Sequence, residues 1–216
     1  MYQRFNLNMR RTGGLVALAF KEEKERNPTA LLEITGASAD LLRFVVVFLH
    51  ASVEDSVRSI VPKGGNFCFY KGTDIDKALK RASLDSAPLK ELYPPLNQLA
   101  KRRNRIVHEA DMVSKTDVSI EELGAVDLWW LVQWMIAAIA FNYRLLTVCA
   151  GPHPDLLQCY ENAKAAMRKN QEYAEVLMNF PKEDFSLQQA ALVKLLKLLE
   201  TTMATMKPTI AEHPAD

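Results

Sequence analysis

Leu41-Leu42-Arg43-Phe44-Val45-Val46-Val47-Phe48-Leu49 is the stretch whose reading decides the fold. The three consecutive valines are β-branched and locally favour a strand. Their setting favours a helix. Apolar positions recur at helical spacing on both sides, over a segment from about Ser38 to Val61 that is too long for an ordinary strand. Gly36 and Ser38 stand at its start and Pro62 follows its end. A helix that is apolar almost all round must be buried on several sides, so other elements have to surround it.

Those other elements also read as helices. A short one is predicted over about Leu15 to Glu25, ending at Asn27-Pro28, because the residue before proline is driven out of the α region. Thr73 caps a helix through about Ala82. Pro94-Pro95 sets the first turn of a helix that continues to His108. Ser119-Ile120-Glu121-Glu122 has the spacing of a capping box and opens a helix to about Cys149, stopped by Gly151-Pro152. Two more helices are predicted over about Pro154 to Met178 and Ser186 to Met206, the latter from a Ser186-x-x-Gln189 box. The tail after Pro208 reads as frayed. The fold class is all-α: a helical bundle with residues 1–35 as an N-terminal extension, 36–150 as the core and 151–216 as C-terminal helices packed on it.

With 216 residues, the chain is long enough for a substantial core. It is 49% hydrophobic and 25% charged, with a net charge of +1, so any attraction for a polyanion must be local rather than global. Cys68, Cys149 and Cys159 form no C-x-x-C pair and no disulfide framework, which suits a reducing compartment. Leu128 to Phe141 is strongly apolar but reads as too short to cross a bilayer, and Gln133 interrupts it. A cytoplasmic location with no membrane partner is the expectation. His50, His108, His153 and His213 show no metal-ligand spacing, and neither a metal nor another cofactor is expected.

The chemistry gathers at Arg103-Asn104-Arg105-Ile106-Val107-His108. Asn104 and His108 share a helical face, and Arg103 lies about 140° from His108, an angle its long forked side chain can span. Arginine offers bidentate charge to a phosphate, histidine titrates near neutrality, and an amide can orient the imidazole or donate to the phosphate. Lys101, Arg102 and Arg105 extend the cluster; they would hold an RNA backbone or simply solvate a helix end. On the long apolar helix, His50, Glu54 and Arg58 form a polar stripe. Glu54 either orients Arg103 or His108, or pairs internally with Arg58. Asp55 reads as solvent-facing. Phe67, Phe69 and Tyr70, in a glycine-containing loop, would stack on bases or pin the loop to the core. Trp129, Trp130 and Trp134 would fill the core or form part of a homodimer interface.

These residues resemble the HEPN family (higher eukaryotes and prokaryotes nucleotide-binding domain). Its signature is R-x4-6-H, usually with a polar residue after the arginine, matched here by Arg103-Asn104-x-x-x-His108. An apolar first core helix with an internal acidic residue, here Glu54, is a second likeness. The resemblance covers about Ser38 to Cys149. It implies metal-independent RNA cleavage, with 2′-hydroxyl attack, His108 as acid or base, and Arg103 stabilising the phosphorane. It further implies a homodimer with a composite site, and a toxin–antitoxin or antiphage role with an antitoxin or defence-system partner protein. Ala110 stands where some family toxins carry a tyrosine that a partner enzyme modifies, which argues against that mode of neutralisation. The alternatives are a non-catalytic HEPN module that binds a partner protein or nucleotide, and a helical scaffold with a chance hexapeptide.

Overall fold

The computed structural model describes residues 2–26, 34, 36–61, 72–109, 123, 125–151 and 154–179, together with 190–191, 193–195, 197–198 and 201–202. These form α1 (Tyr2–Arg26), α2 (Gly36–Ile60), α3 (Gly72–Arg81), a 3-10 helix (Ala87–Leu92), α4 (Tyr93–Glu109), α5 (Ala125–Ala150) and α6 (Pro154–Met178), with further helical residues between 190 and 202. The all-α expectation therefore holds. Among the described residues the only β pairing is an isolated bridge, in which Ile34 N–H donates to the Leu123 carbonyl at 2.6 Å.

The valine run is helical, and α2 is the hub. Around its circumference Leu42, Val45, Val46, Leu49, Val53 and Val57 are all buried. α1, α4 and α5 all pack against it. Burial of branched side chains on three sides overrides the local strand preference of Val45-Val46-Val47. Ser56 Oγ donates to Asn142 Oδ1, joining α2 to α5 inside the core.

Three boundaries differ from the sequence reading. α1 starts at Tyr2 rather than near Leu15, because Phe5, Met9, Thr12, Val16 and Ala19 make one continuous buried stripe. Gly13-Gly14 masked that stripe, since glycine is a weak helix former that tertiary packing can override. α5 starts at Ala125, not Ser119: Leu123 is held in the bridge to Ile34 and cannot belong to the helix. The 3-10 helix before α4 was not anticipated. Its Leu89 and Leu92 are buried, and Arg144 of α5 grips it through the Pro88 carbonyl at 2.7 Å and through Glu91.

At 26 residues, α5 is also long enough to span a bilayer, contrary to the expectation from Leu128–Phe141 alone. Among the described residues, it and α2 are the two helices with that length and apolarity, but half or more of each apolar window is buried inside the bundle. Gln133 accepts a hydrogen bond from Asn170 Nδ2 at 2.8 Å, while Trp129 Nε1 donates to the Asn170 carbonyl at 3.0 Å, which fixes α6 on α5. Gly151 closes α5 at φ 86°, a left-handed value suited to glycine, with its N–H on the Thr147 carbonyl. The predicted loop 63–71, the boxes at Ser119 and Ser186, Ala110, His153, His213 and the tail after 208 lie outside the described residues.

Leu49 is fully buried at the centre of the hub. Leu49→Ala is expected to cost roughly 2–5 kcal/mol, read from the midpoint and slope of urea denaturation.

Candidate functional site

α4 owes its orientation to a buried stripe of Leu96, Leu99 and Ala100, continued by the partly buried Ile106. Tyr93 Oη donates to Asp76 Oδ1 at 2.9 Å and pins the start of α4 to α3. Arg103 falls one turn beyond Leu99 and therefore continues this stripe toward α2. Its side chain is half-buried, and Nη1 donates to Asn104 Oδ1 at 2.9 Å. The amide carbonyl thus accepts from Arg103, where the sequence offers Asn104 either for orienting His108 or for donating to a phosphate. The Asn104 NH2 group remains as the donor end.

Across from Arg103, α2 presents His50 and Glu54. His50 is buried, and its Nδ1 lies 3.7 Å from Glu54 Oε2. Burial, reinforced by the charge of Arg103, holds the His50 imidazole down at about 4, so it is neutral at physiological pH and its contact with Glu54 is not an ion pair. Burial pushes the Glu54 carboxyl above its usual range, opposed by the charges of Arg58 and then Arg103. Arg58 Nη2 lies 3.9 Å from Glu54 Oε2. Both readings offered for Glu54 therefore have a physical counterpart: it pairs with Arg58 and also sits in the field of Arg103.

His108 is exposed on the last turn of α4, and no described residue holds it. Lys101 is exposed and Arg105 half-exposed on the same outward side. Arg102 is placed differently. Its side chain is only 12% exposed and lies 3.9 Å from Asp127 Oδ1 at the start of α5. It lines a small cleft with Arg43, Ile106 and Trp134, so it ties α4 to α5 and is not offered to solvent. Arg43 in turn donates to Asp40 at 3.0 Å. Asp127 went unnoticed in the sequence, although an acidic residue in a first helical turn beside a basic cluster is a readable signal. Asp55, expected at the surface, is half-exposed and pairs with Arg4 of α1 at 3.2 Å. Trp134 is buried, and Trp129 and Trp130 are half-buried against it and α6, as a core role requires.

The site is thus an inward guanidinium set against a neutral imidazole and a carboxyl, with a second imidazole exposed beyond it. Such an arrangement can bind an oxyanion at Arg103 and move a proton at His108. Among the described residues, no group of three His, Cys, Asp or Glu side chains could hold a metal ion. A cavity of about 490 Å³ lies away from this cluster, between Glu172 and Glu175 of α6, Asn179 just past its end and Lys194, and contains none of the residues singled out above. No family model, curated protein or solved structure matches this chain.

Two titratable groups on α2, His50 and Glu54, leave a pH signature. Unfolding returns His50 to an ordinary imidazole, which takes up a proton below about 6.5 while the folded form resists until about 4. Its contribution to stability is therefore full above pH 6.5 and fades as pH falls toward 4. Glu54, raised in the fold, acts in the opposite sense: the folded form binds its proton more readily, and the benefit is lost as pH rises through the folded value. His50→Leu is expected to flatten or reverse the loss of stability between pH 6.5 and 4, measured by urea denaturation across that range.

Proposed function

We propose that the protein is a metal-independent endoribonuclease of HEPN type. RNA supplies its own nucleophile, the 2′-hydroxyl. His108 exchanges the proton with the attacking or leaving oxygen, and Arg103 stabilises the negative phosphorane. Glu54 and His50 hold Arg103 in place, and Asn104 steers its guanidinium. Lys101 and Arg105 bear on the flanking phosphates. A symmetric dimer would let one His108 act as base and its twin as acid. A cytoplasmic toxin or antiphage effector, with an antitoxin or defence-system partner, is the biological role that fits such chemistry.

The observation that carries this reading is the split on one helix. Arg103 is hydrogen-bonded to its α4 neighbour Asn104 and lies in the field of His50 and Glu54, while His108, five residues on, is exposed and unencumbered by any described residue. A merely solvated basic helix end gives no reason for Arg103 to turn inward beside a buried imidazole.

The second reading, a non-catalytic HEPN module for a partner protein or nucleotide, draws support from Arg102, whose pairing with Asp127 removes one cation from an RNA-facing role. Purified protein is expected to cut total RNA equally with and without EDTA and to leave DNA of the same length intact. Cleavage is expected to fall roughly 10²- to 10⁴-fold in His108→Ala, with circular dichroism unchanged because the side chain is exposed. Loss of cutting in EDTA, or full activity in that variant, rejects the nuclease.

A further inference from the structure

Phe44 is the single exposed aromatic among the described side chains, at 54%. It stacks on Phe48 one turn further along α2, with ring centroids 6.1 Å apart and planes within 14°. At about 100° per residue, Phe44, Val47 and Ala51 share the solvent-facing side of α2, with Phe48 at its edge. The result is a firm apolar shelf on the outside of the central helix.

Basic residues border it on both long sides. On one side, the start of α1 pairs with the end of α2 through Arg4 and Asp55, and the two helices pack extensively, as an antiparallel pair does. Two turns beyond Arg4 on the same face of α1 comes Arg11, also exposed. On the other side, Arg103 lies in the electrostatic field of His50 and Glu54, and Ile106 lines a cleft together with Leu42 and Val46. α4 therefore runs antiparallel to α2, and Val107, 46% exposed and one turn past Arg103, comes level with the Phe44 end of the shelf. From Lys101 to His108 α4 carries no acid, and its cations besides the Asp127-paired Arg102 are Lys101, Arg103 and Arg105.

We infer that this shelf is a stacking platform for single-stranded RNA, with a base laid on Phe44 and the neighbouring phosphates on the Arg11 and Arg103 borders. The inference rests on the nuclease reading for its choice of occupant. An aromatic face accepts any base, and arginines on either side take the backbone. A duplex hides its base faces, so the strand must be single. A purely apolar protein partner would have no use for two basic borders.

The test is fluorescence anisotropy with a labelled 2′-O-methyl decauridine, which cannot be cut through its 2′ position, and with the corresponding 2′-O-methyl duplex. Wild-type protein is expected to prefer the single strand. Phe44→Ala and Phe44→Leu should weaken that binding roughly 10- to 100-fold, and Phe44→Trp should restore it. Because Phe44 is exposed, thermal melting should change little in all three variants. Absence of binding by wild type overturns the platform, as does equal binding by Phe44→Leu. A change in sedimenting mass in Phe44→Ala with RNA affinity intact identifies a protein interface, and overturns it too. Cleavage of total RNA decides the nuclease separately: cutting with Phe44-independent binding removes the platform alone, whereas Phe44-dependent binding without cutting retains the platform and removes the nuclease.

Discussion

Everything in this bundle is organised by the burial of one helix that carries polar groups it cannot leave dry. α2 is enclosed by α1, α5 and α4, and within that enclosure sit His50 and Glu54. Desolvating an imidazole and a carboxyl is unfavourable unless they are neutral or paired. The fold does both. His50 gives up its charge, and Glu54 is flanked by Arg58 with Arg103 nearby. The guanidinium that the signature helix brings to α2 thus answers a need created by α2 itself. Stability and chemistry share one constraint: α4 must present Arg103 at that level, and any rotation of α4 would strip Glu54 of a compensating charge.

Two adjacent arginines show how that rotation is held. Arg102 and Arg103 differ by one helical step of about 100°, which is enough to send one to α5 and the other to α2. Arg102 meets Asp127 with its side chain nearly buried, and Ile106, one turn on, fills the same cleft. An exposed ion pair would contribute little; one with a largely desolvated guanidinium is directional, because misplacing it leaves a buried charge without a partner. The pair acts as a stop that fixes the angle of α4, and the Tyr93–Asp76 hydrogen bond fixes its other end.

The helical class was legible because apolar periodicity around Val45-Val46-Val47 extends well past the valines themselves. Boundaries were less legible wherever a tertiary contact overrode local preference. Gly13-Gly14 looks like a break, yet Thr12 and Val16 are buried on either side of it and the helix runs through. The box at Ser119 looks like a helix start, yet the bridge from Ile34 holds Leu123 extended. In the site, spacing alone brought Arg103, Asn104 and His108 onto one helix and His50, Glu54 and Arg58 onto another. It could not say that the two sets face each other, nor that Arg102 faces away, because both depend on Asp127 and on how α2 and α4 align. Phe44 was hidden for a different reason: inside an apolar run, one exposed ring has the same letter as a buried one.

The unequal exposure of Arg103 and His108 has a chemical logic of its own. A group that stabilises charge works best when its dipole or charge is already aimed, since reorientation during reaction costs free energy. Arg103, braced by Asn104 and set against α2, meets that requirement. A group that carries a proton between two oxygens must instead reach both and exchange with solvent between turnovers. An imidazole exposed on the last turn of a helix can do so, and a buried one such as His50, held neutral, cannot. The chain contains both kinds of histidine within reach of the same helix pair. In the proposed nuclease, their contrasting environments suit Arg103, with His50 and Glu54 behind it, to fixed electrostatics and His108 to proton transfer. On the proposed nuclease reading, a substrate strand would lie on the solvent side of α4, where the exposed imidazole is, and would pass over the α2 surface next to it.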